Sequence, residues 1–462
     1  MKRKALWISI IGILLIGFVC LFCYRHYIRQ KQIEQKKHTG LVSENFPVQD
    51  IKHQCKNIYE DAYQTEADNQ LQNMRNNNSY TIEEPLLVWN PYGTNTGSFY
   101  YYGVSKQDSY VVCEVTCNNG SVIKHRLKND SDSGVTKTHE YLITGLAPGL
   151  KNHFSLAFYD AGNNLIHTYQ YTVTLKKDKQ IPAITKVEKG NSKSSLTDGL
   201  FAVLGHDKSK AKNIYYYDNN GICRGKTPLN DYRTDRILTI DGKLVYSYSL
   251  TDIAFVNRLG KVEKTLSLGK YELHHDFMYD EKRNELLCLV NDTDKDTIED
   301  VLISVNIETG KIKKLVDFEK MMKSMRKRSV QRKGGKNTYG GTELDWLHLN
   351  SLDMINDKDA VFSSREESVI IKINNIYENP SIDYLIHSGS LYKGTKYEKL
   401  LLKQKGNFVG HAGQHTITVE HDTSLPNGQY YLFMYNNNFG SAKTLPQFDW
   451  SLYPEVGRAK RS

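Results

Sequence analysis

The chain has 462 residues, of which 39% are hydrophobic and 24% charged, with only 10 prolines. That balance excludes a disordered or collagen-like chain and leaves apolar material for several packed cores. Its 61 Lys and Arg against 52 Asp and Glu give a net charge of +9, too mild over this length to imply nucleic acid.

Lys2, Arg3 and Lys4 precede residues 5–23, nineteen positions without a charge. At the helical rise this run spans about 28 Å, close to a bilayer's hydrocarbon core. No small-residue cleavage site follows it, and Gly17-Phe-Val-Cys20 places bulky residues where a lipobox needs small ones. Residues 1–24 are therefore expected to form one uncleaved N-terminal transmembrane helix, a signal anchor. Positive charges flank both ends, but a short basic tail usually stays cytoplasmic, which puts the bulk of the chain outside. Residues 25–80 are polar and read as a spacer, partly helical, with Ile51, Cys55, Ile58, Tyr59 and Ala62 at helical spacing.

From residue 82 the pattern switches to period two. Residues 86–89, 97–103, 110–116, 140–143, 152–158 and 167–173 read as strands, separated by turns at Asn118-Asn-Gly120, Pro148-Gly149 and Ala161-Gly-Asn-Asn164. Short strands at this density predict a β-sandwich over residues 81–178, like an immunoglobulin or fibronectin domain. Cys113 and Cys117 share a strand face but stand about 13 Å apart at the usual rise, beyond disulfide reach. No cysteine spacing reads as a zinc site.

Residues 182–462 continue as strands. The best helical candidate is residues 318–328. It opens a basic run of Lys320, Lys323, Arg326, Lys327, Arg328, Arg332, Lys333 and Lys336, either a solvated loop or a grip for an anion. A weak repeat runs through this region, with a His, an alternating apolar strand, an Asn/Asp/Gly turn and a second strand. Its copies start at His275, His348 and His415, with steps of 73 and 67 residues. If these are propeller blades, each with an insertion or an extra blade between, the three His begin innermost strands around one axial pocket. The overall expectation is an all-β chain, a β-sandwich followed by a β-propeller.

Three such His could bind a metal, though no HExxH or CxxC is present, or carry a transferred group. A neutral imidazole is nucleophilic and leaves well when it bears that group. Arg365 would offset charge on the moving anion, and Asn350, two residues after His348, would share its strand face and donate hydrogen bonds. Gly221-Ile-Cys-Arg-Gly-Lys-Thr227 has one residue too few for a phosphate loop.

At these residues the sequence resembles the bacterial arylsulfate sulfotransferases. Asp345-Trp-Leu-His-Leu-Asn-Ser351 followed by Ser363-Ser-Arg365 looks like their paired signature, Gly413-Gln-His-Thr416 like their Gln-His segment, and His274-His275-Asp276 like their His-His-Asp. The resemblance implies a six-bladed propeller. It implies sulfuryl transfer from an aryl sulfate to a phenol by a ping-pong route, with no cofactor and no metal. His415 would be the nucleophile and carry a sulfohistidine. His275, His348 and Arg365 would be catalytic, and Asn350 would bind substrate. His274 is kept as a substrate-binding candidate, because neighbouring strand residues point oppositely. The implied partners are small aryl sulfates and phenols, with a membrane reached through the N-terminal helix, no nucleic acid, and a homodimer left open. The implied location is the bacterial cell membrane, single-pass and mostly extracytoplasmic. Only 47 residues follow His415, so the propeller is expected to be incomplete at its C-terminal end. The competing reading is a non-catalytic, membrane-anchored surface binding or adhesion protein on the same scaffold.

Overall fold

The computed structural model describes Tyr24, residues 39–43 and residues 46–437, apart from 118–121, 132, 182–187, 189–198, 205–211, 232–233, 332–334, 338–339, 388 and 407–409. Residues 1–23 of the expected membrane segment and the last 25 residues lie outside the described residues. Among the described residues no helix is long and apolar enough to cross a membrane.

The chain divides into two compact units. The first comprises Met1–Val203, Ile214–Pro228 and Arg258–Lys261; the second comprises Leu204–Asn213, Leu229–Asn257 and Val262–Ser462.

In the first unit, β1 (Thr39–Ser43) lies parallel to β7 (Leu165–Thr174), and β7 continues antiparallel into β6 (Lys151–Tyr159) and then β3 (Phe99–Cys117). β2 (Leu86–Trp89), β4 (Val122–Arg126) and β5 (Thr136–Ile143) also pair with β3. The sequence pattern suggested two strands over residues 97–116; the structure has one of 19 residues. Its first half pairs with β2 and β5 and its second half with β4 and β6, the register breaking between Val104 and Ser109. One strand thus serves two layers, and the layers close on one core that includes Phe99, Tyr101, Val111, Phe154, Leu156 and Tyr171. Cys113 and Cys117 are buried free thiols.

The stretch read as a spacer holds helix α1 (Asp61–Asn77), which starts well after residue 50. Ala67 and Leu71 bury their side chains against Leu86, Val88 and Tyr100, so apolar contact and not propensity fixes this helix. A small antiparallel sheet of β8 (Phe201–Val203), β9 (Asn213–Tyr217) and β10 (Cys223–Pro228) also belongs largely to this unit.

The second unit is a series of small antiparallel sheets, each taking its strands in chain order. The first holds β11 (Ile237–Ile240), β12 (Lys243–Ser247), β13 (Asp252–Val256) and β14 (Val262–Ser267). The next holds β15 (Tyr271–Asp280), β16 (Glu285–Asp292), β17 (Val301–Asn306) and β18 (Ile312–Asp317). The third holds β19 (Leu349–Met354), β20 (Ala360–Ser364), β21 (Val369–Asn374) and β22 (Ser381–Ile386). The last described is the pair β23 (His415–Glu420) and β24 (Tyr431–Tyr435). The sequence 318–328 forms two single turns, α2 (Phe318–Met321) and α3 (Lys323–Arg326).

The strand sequences explain the stacking. In β16, Leu286, Cys288 and Val290 enter a core shared with β11–β14, while Leu287 and Leu289 enter one shared with β19–β22. In the next sheet, Val361 and Ile370 turn to β23–β24, and Phe362 and Ile371 turn back. A middle sheet is covered on both faces, so its strands read as continuous apolar runs and not as alternation.

Candidate functional site

The first strands of successive sheets are tied edge to edge by side chains. The Asp276 carboxylate on β15 accepts the Leu352 backbone N–H of β19 at 3.1 Å. On β19 the Ser351 hydroxyl accepts the Ile417 N–H of β23 at 2.8 Å, and Asp353 accepts the Val419 N–H at 2.7 Å. Arg236, just before β11, pairs with Asp276 from the other side. Short polar side chains thus do between sheets what a backbone ladder does within one, and they hold the three strand starts together.

Each of these strands is irregular where its His sits. Register shifts fall between Leu273 and Phe277, between Leu349 and Ser351, and between His415 and Thr418. The backbone is left-handed at His275 (φ 55°), His348 (φ 51°) and Thr416 (φ 56°). Such bulges re-aim a side chain out of the pleat. The outcome is convergence: the ring centroids of His275 and His348 are 4.8 Å apart, those of His275 and His415 6.0 Å, and those of His348 and His415 6.3 Å.

The electrostatics divide the cluster. His348 is buried, and its Nδ1 lies 2.8 Å from Asp345 and 2.5 Å from Glu299. Burial opposes its charge, but the two carboxylates outweigh burial and push its pKa up to about 9. Glu299 correspondingly stays ionised, well below the usual carboxylate range. It also lies 3.5 Å from His275. Arg365 directly follows β20, where its N–H donates to the His348 carbonyl at 3.1 Å. Its guanidinium Nη1 stands 3.5 Å from His348 Nε2. With the His348 ring protonated, both nitrogens carry hydrogen, so two cationic donors face one spot. That is an arrangement for an anion's oxygens.

His415 is the opposite case. Burial above all holds its pKa at about 4; the Gly413 carbonyl pulls it up, and the positive charges of His348 and Arg365 push it down again. Its Nδ1 lies 3.2 Å from the Gly413 carbonyl, which can only accept, so that nitrogen keeps the hydrogen. The Asn437 amide nitrogen lies 2.9 Å from the same Nδ1; with the amide's oxygen and nitrogen exchanged, the oxygen accepts that hydrogen as well. Nε2 is left with its lone pair.

Two predicted residues are placed differently from the rest. Asn350 donates to the Gln414 carbonyl at 2.8 Å. The bulge at His348 breaks the alternation that put Asn350 beside it, and Asn350 instead anchors the strand that carries His415, together with Ser363, which donates to the same carbonyl at 3.0 Å. His274 is buried, with a pKa held at about 4 by burial, and its ring lies 5.4 Å from that of His275. It turns into a neighbouring cavity, while His275 joins His348 and His415. Glu299 was not found from sequence. It lies in the loop between β16 and β17, 49 residues before His348, and no motif marks it. Its left-handed backbone (φ 59°) is a property of the fold alone.

The nearest nitrogens of His275, His348 and His415 lie within 4.8 Å of one another, as do donor atoms of His274, His275 and Glu299 and of Glu299, Asp345 and His348. At the three-histidine set the Arg365 guanidinium beside His348, and the charge on His348 itself, oppose a cation. The donor set fits an anion better than a metal.

Comparison with known proteins adds the following. A family model described as Arylsulfotransferase (ASST) matches residues 185–460. No curated protein matches the chain. Among solved structures, an auxiliary nutrient binding protein from Bacteroides ovatus ATCC 8483 is similar at 9% identity and a TM-score of 0.29, covering 75% of this chain and 79% of that one. A chain of a mitotic checkpoint complex is similar at 9% identity and a TM-score of 0.27, covering 62% of this chain and 76% of that one.

Proposed function

The chain belongs to the arylsulfotransferase family, and from that premise we propose that it moves a sulfuryl group from an aryl sulfate to a phenol in two half-reactions through His415. The four sheets of the second unit are read as blades of a propeller whose first strands line the axis, six-bladed when complete.

In the first half-reaction the Nε2 lone pair of His415 attacks sulfur. The S–O bond to the aryl group breaks, and the phenolate leaves with that electron pair. His348 and Arg365 hold the sulfuryl oxygens, where charge is spread in a loose transition state. A phenol's pKa of about 10 is close to that of His348, about 9, so His348 suits the return of a proton to the leaving oxygen. The product is an N-sulfo His415 whose remaining N–H points at the Gly413 carbonyl, which steadies the imidazolium. In the second half-reaction His348 takes the proton of an incoming phenol, whose oxygen attacks sulfur and releases His415. His275 completes the wall of the pocket. Within this proposal, residues 5–23 anchor the chain in a bacterial membrane with its body outside.

The observation that carries the reading is the meeting of His275, His348 and His415, with ring centroids 4.8 to 6.3 Å apart, beside the Arg365 guanidinium. The test is release of 4-nitrophenol from 4-nitrophenyl sulfate with and without a second phenol. Without acceptor a burst of about one equivalent per chain is expected as His415 is sulfated, and continuing turnover only with the acceptor present. His415→Ala is expected to lower the rate by about 10³-fold or more, as loss of a covalent nucleophile does. Before acceptor is added, mass spectrometry of the native chain should find one SO₃ group on the His415 peptide. Turnover that survives His415→Ala in a folded protein rejects His415 as nucleophile.

A further inference from the structure

A cavity of about 450 Å³ lies beside the three-histidine cluster, within the second unit. It is formed by the start of β15, by the turn between β12 and β13 and by the loop between β16 and β17. In an up-and-down sheet the start of the first strand and the second turn lie at one end. This is therefore the end at which His275 sits, and Glu299 belongs both to the cavity wall and to the His348 and His275 contacts. The volume is within the roughly 300–1,000 Å³ of small-molecule sites.

Its charge does not suit the anion handled next door. Among the described residues Asp235, Glu272, Asp292, Glu299 and Glu343 line it, against one ammonium, Lys295. Lys295 is already engaged by Asp300, Asp317 and Glu319 at 3.0 to 3.2 Å. Asp292 is answered by Lys270 and Lys314, and Glu299 by His348. Glu272 and Glu343 add two further carboxylates, both half-buried. A plain aryl sulfate placed here would be repelled. A second observation points to a ligand: His274, 6% exposed, lines this cavity, and while its Nδ1 lies 3.3 Å from His275 Nδ1, its buried Nε2 has no hydrogen-bond partner. A buried ring nitrogen left in this way lacks a bond that a ligand can supply.

We propose that this cavity is the aryl-group subsite and that it selects phenols, and their sulfates, that carry a protonated amine on a short side chain. The inference rests on the sulfuryl-transfer reading for the use of the site, but not for its binding preference. The ring lies against Leu250, Leu273 and Ile298, its ammonium sits among the carboxylates of Glu272, Glu343 and Asp235, and His274 Nε2 takes one of its polar hydrogens. The positive charge of such a ligand also offsets the repulsion between its sulfate and the acidic wall.

The experiment compares three phenols matched in size: 4-(2-aminoethyl)phenol, neutral 4-ethylphenol and anionic 4-hydroxyphenylacetate. Binding to the full chain is measured by calorimetry, and kcat/KM is measured with each as acceptor from 4-nitrophenyl sulfate. The amine is expected to bind at least about 10-fold more tightly than 4-ethylphenol, with the anion weakest. The preference should shrink as salt is raised, and in Glu272→Gln combined with Glu343→Gln. Equal binding of the amine and the neutral phenol overturns the inference, as does a preference that both substitutions leave intact. If the binding preference is found but no phenol accepts sulfate, the subsite stands and the transfer reading falls. Circular dichroism of the double variant confirms that it is folded.

Discussion

Two imidazoles a few ångströms apart are held in opposite protonation states, and the cause lies in what each ring touches. His348 sits between two carboxylates and stays charged up to about pH 9; His415, buried and facing two cations, stays neutral down to about pH 4 despite the pull of the Gly413 carbonyl. A reaction needing charged His348 and neutral His415 should have a bell-shaped profile bounded near those values. The stability contribution of His348 has its own sign. Its folded pKa lies above the unfolded 6.5, so its stabilisation is complete below 6.5 and is lost as the pH rises towards 9. Burial of neutral His415 works the other way and costs stability as the pH falls from 6.5 towards 4. Glu299 acts through His348 and is a positioning residue. Glu299→Gln should move the alkaline limb of kcat/KM down by about one pH unit or more. A merely structural loss would lower the rate at every pH and leave the limbs in place.

At the scale of the element, function is built into faults in the strands. A regular β15, β19 or β23 would send alternate side chains to its two faces and could not aim a His along the sheet edge. The bulges do so at the expense of backbone strain, greatest at Thr416, a β-branched residue at φ 56°. Thr416 is exposed, so replacing it loses no packing. Thr416→Asn, which tolerates the left-handed region, should stabilise the protein by about 0.5–1 kcal/mol, read as a higher urea midpoint at an unchanged slope. An unchanged or lower midpoint would show that the strain is relieved elsewhere. Period-two patterning located these strands but carried no mark of the bulges. A left-handed His or Thr has no sequence signature, whereas a glycine there would have had one.

The second unit relies on sheets covered on both faces. In the first, as at His348 in the second, charge is buried in pairs: the fully buried Arg224 meets Asp218 at 2.7 Å and also donates to the Gly145 carbonyl at 2.7 Å. Arg224→Leu strands the Asp218 carboxylate and should cost about 3–5 kcal/mol by chemical denaturation; a loss under about 1 kcal/mol would mean that the pair is dispensable. Much of the architecture was legible in the sequence. Alternating and continuous apolar runs fixed the all-β character, and Asp345-Trp-Leu-His-Leu-Asn-Ser351 with Ser363-Ser-Arg365 carried the family, because residue type and spacing along the chain are local properties. What the sequence could not assign was the company each side chain keeps. Glu299 beside His348, Asn350 turned to Gln414, His274 turned away from His275 and an acidic cavity next to an anion site all join residues far apart in the chain or set by bulges. Such contacts come into being only when separate strands are stacked and tied, so only the tertiary structure decided them.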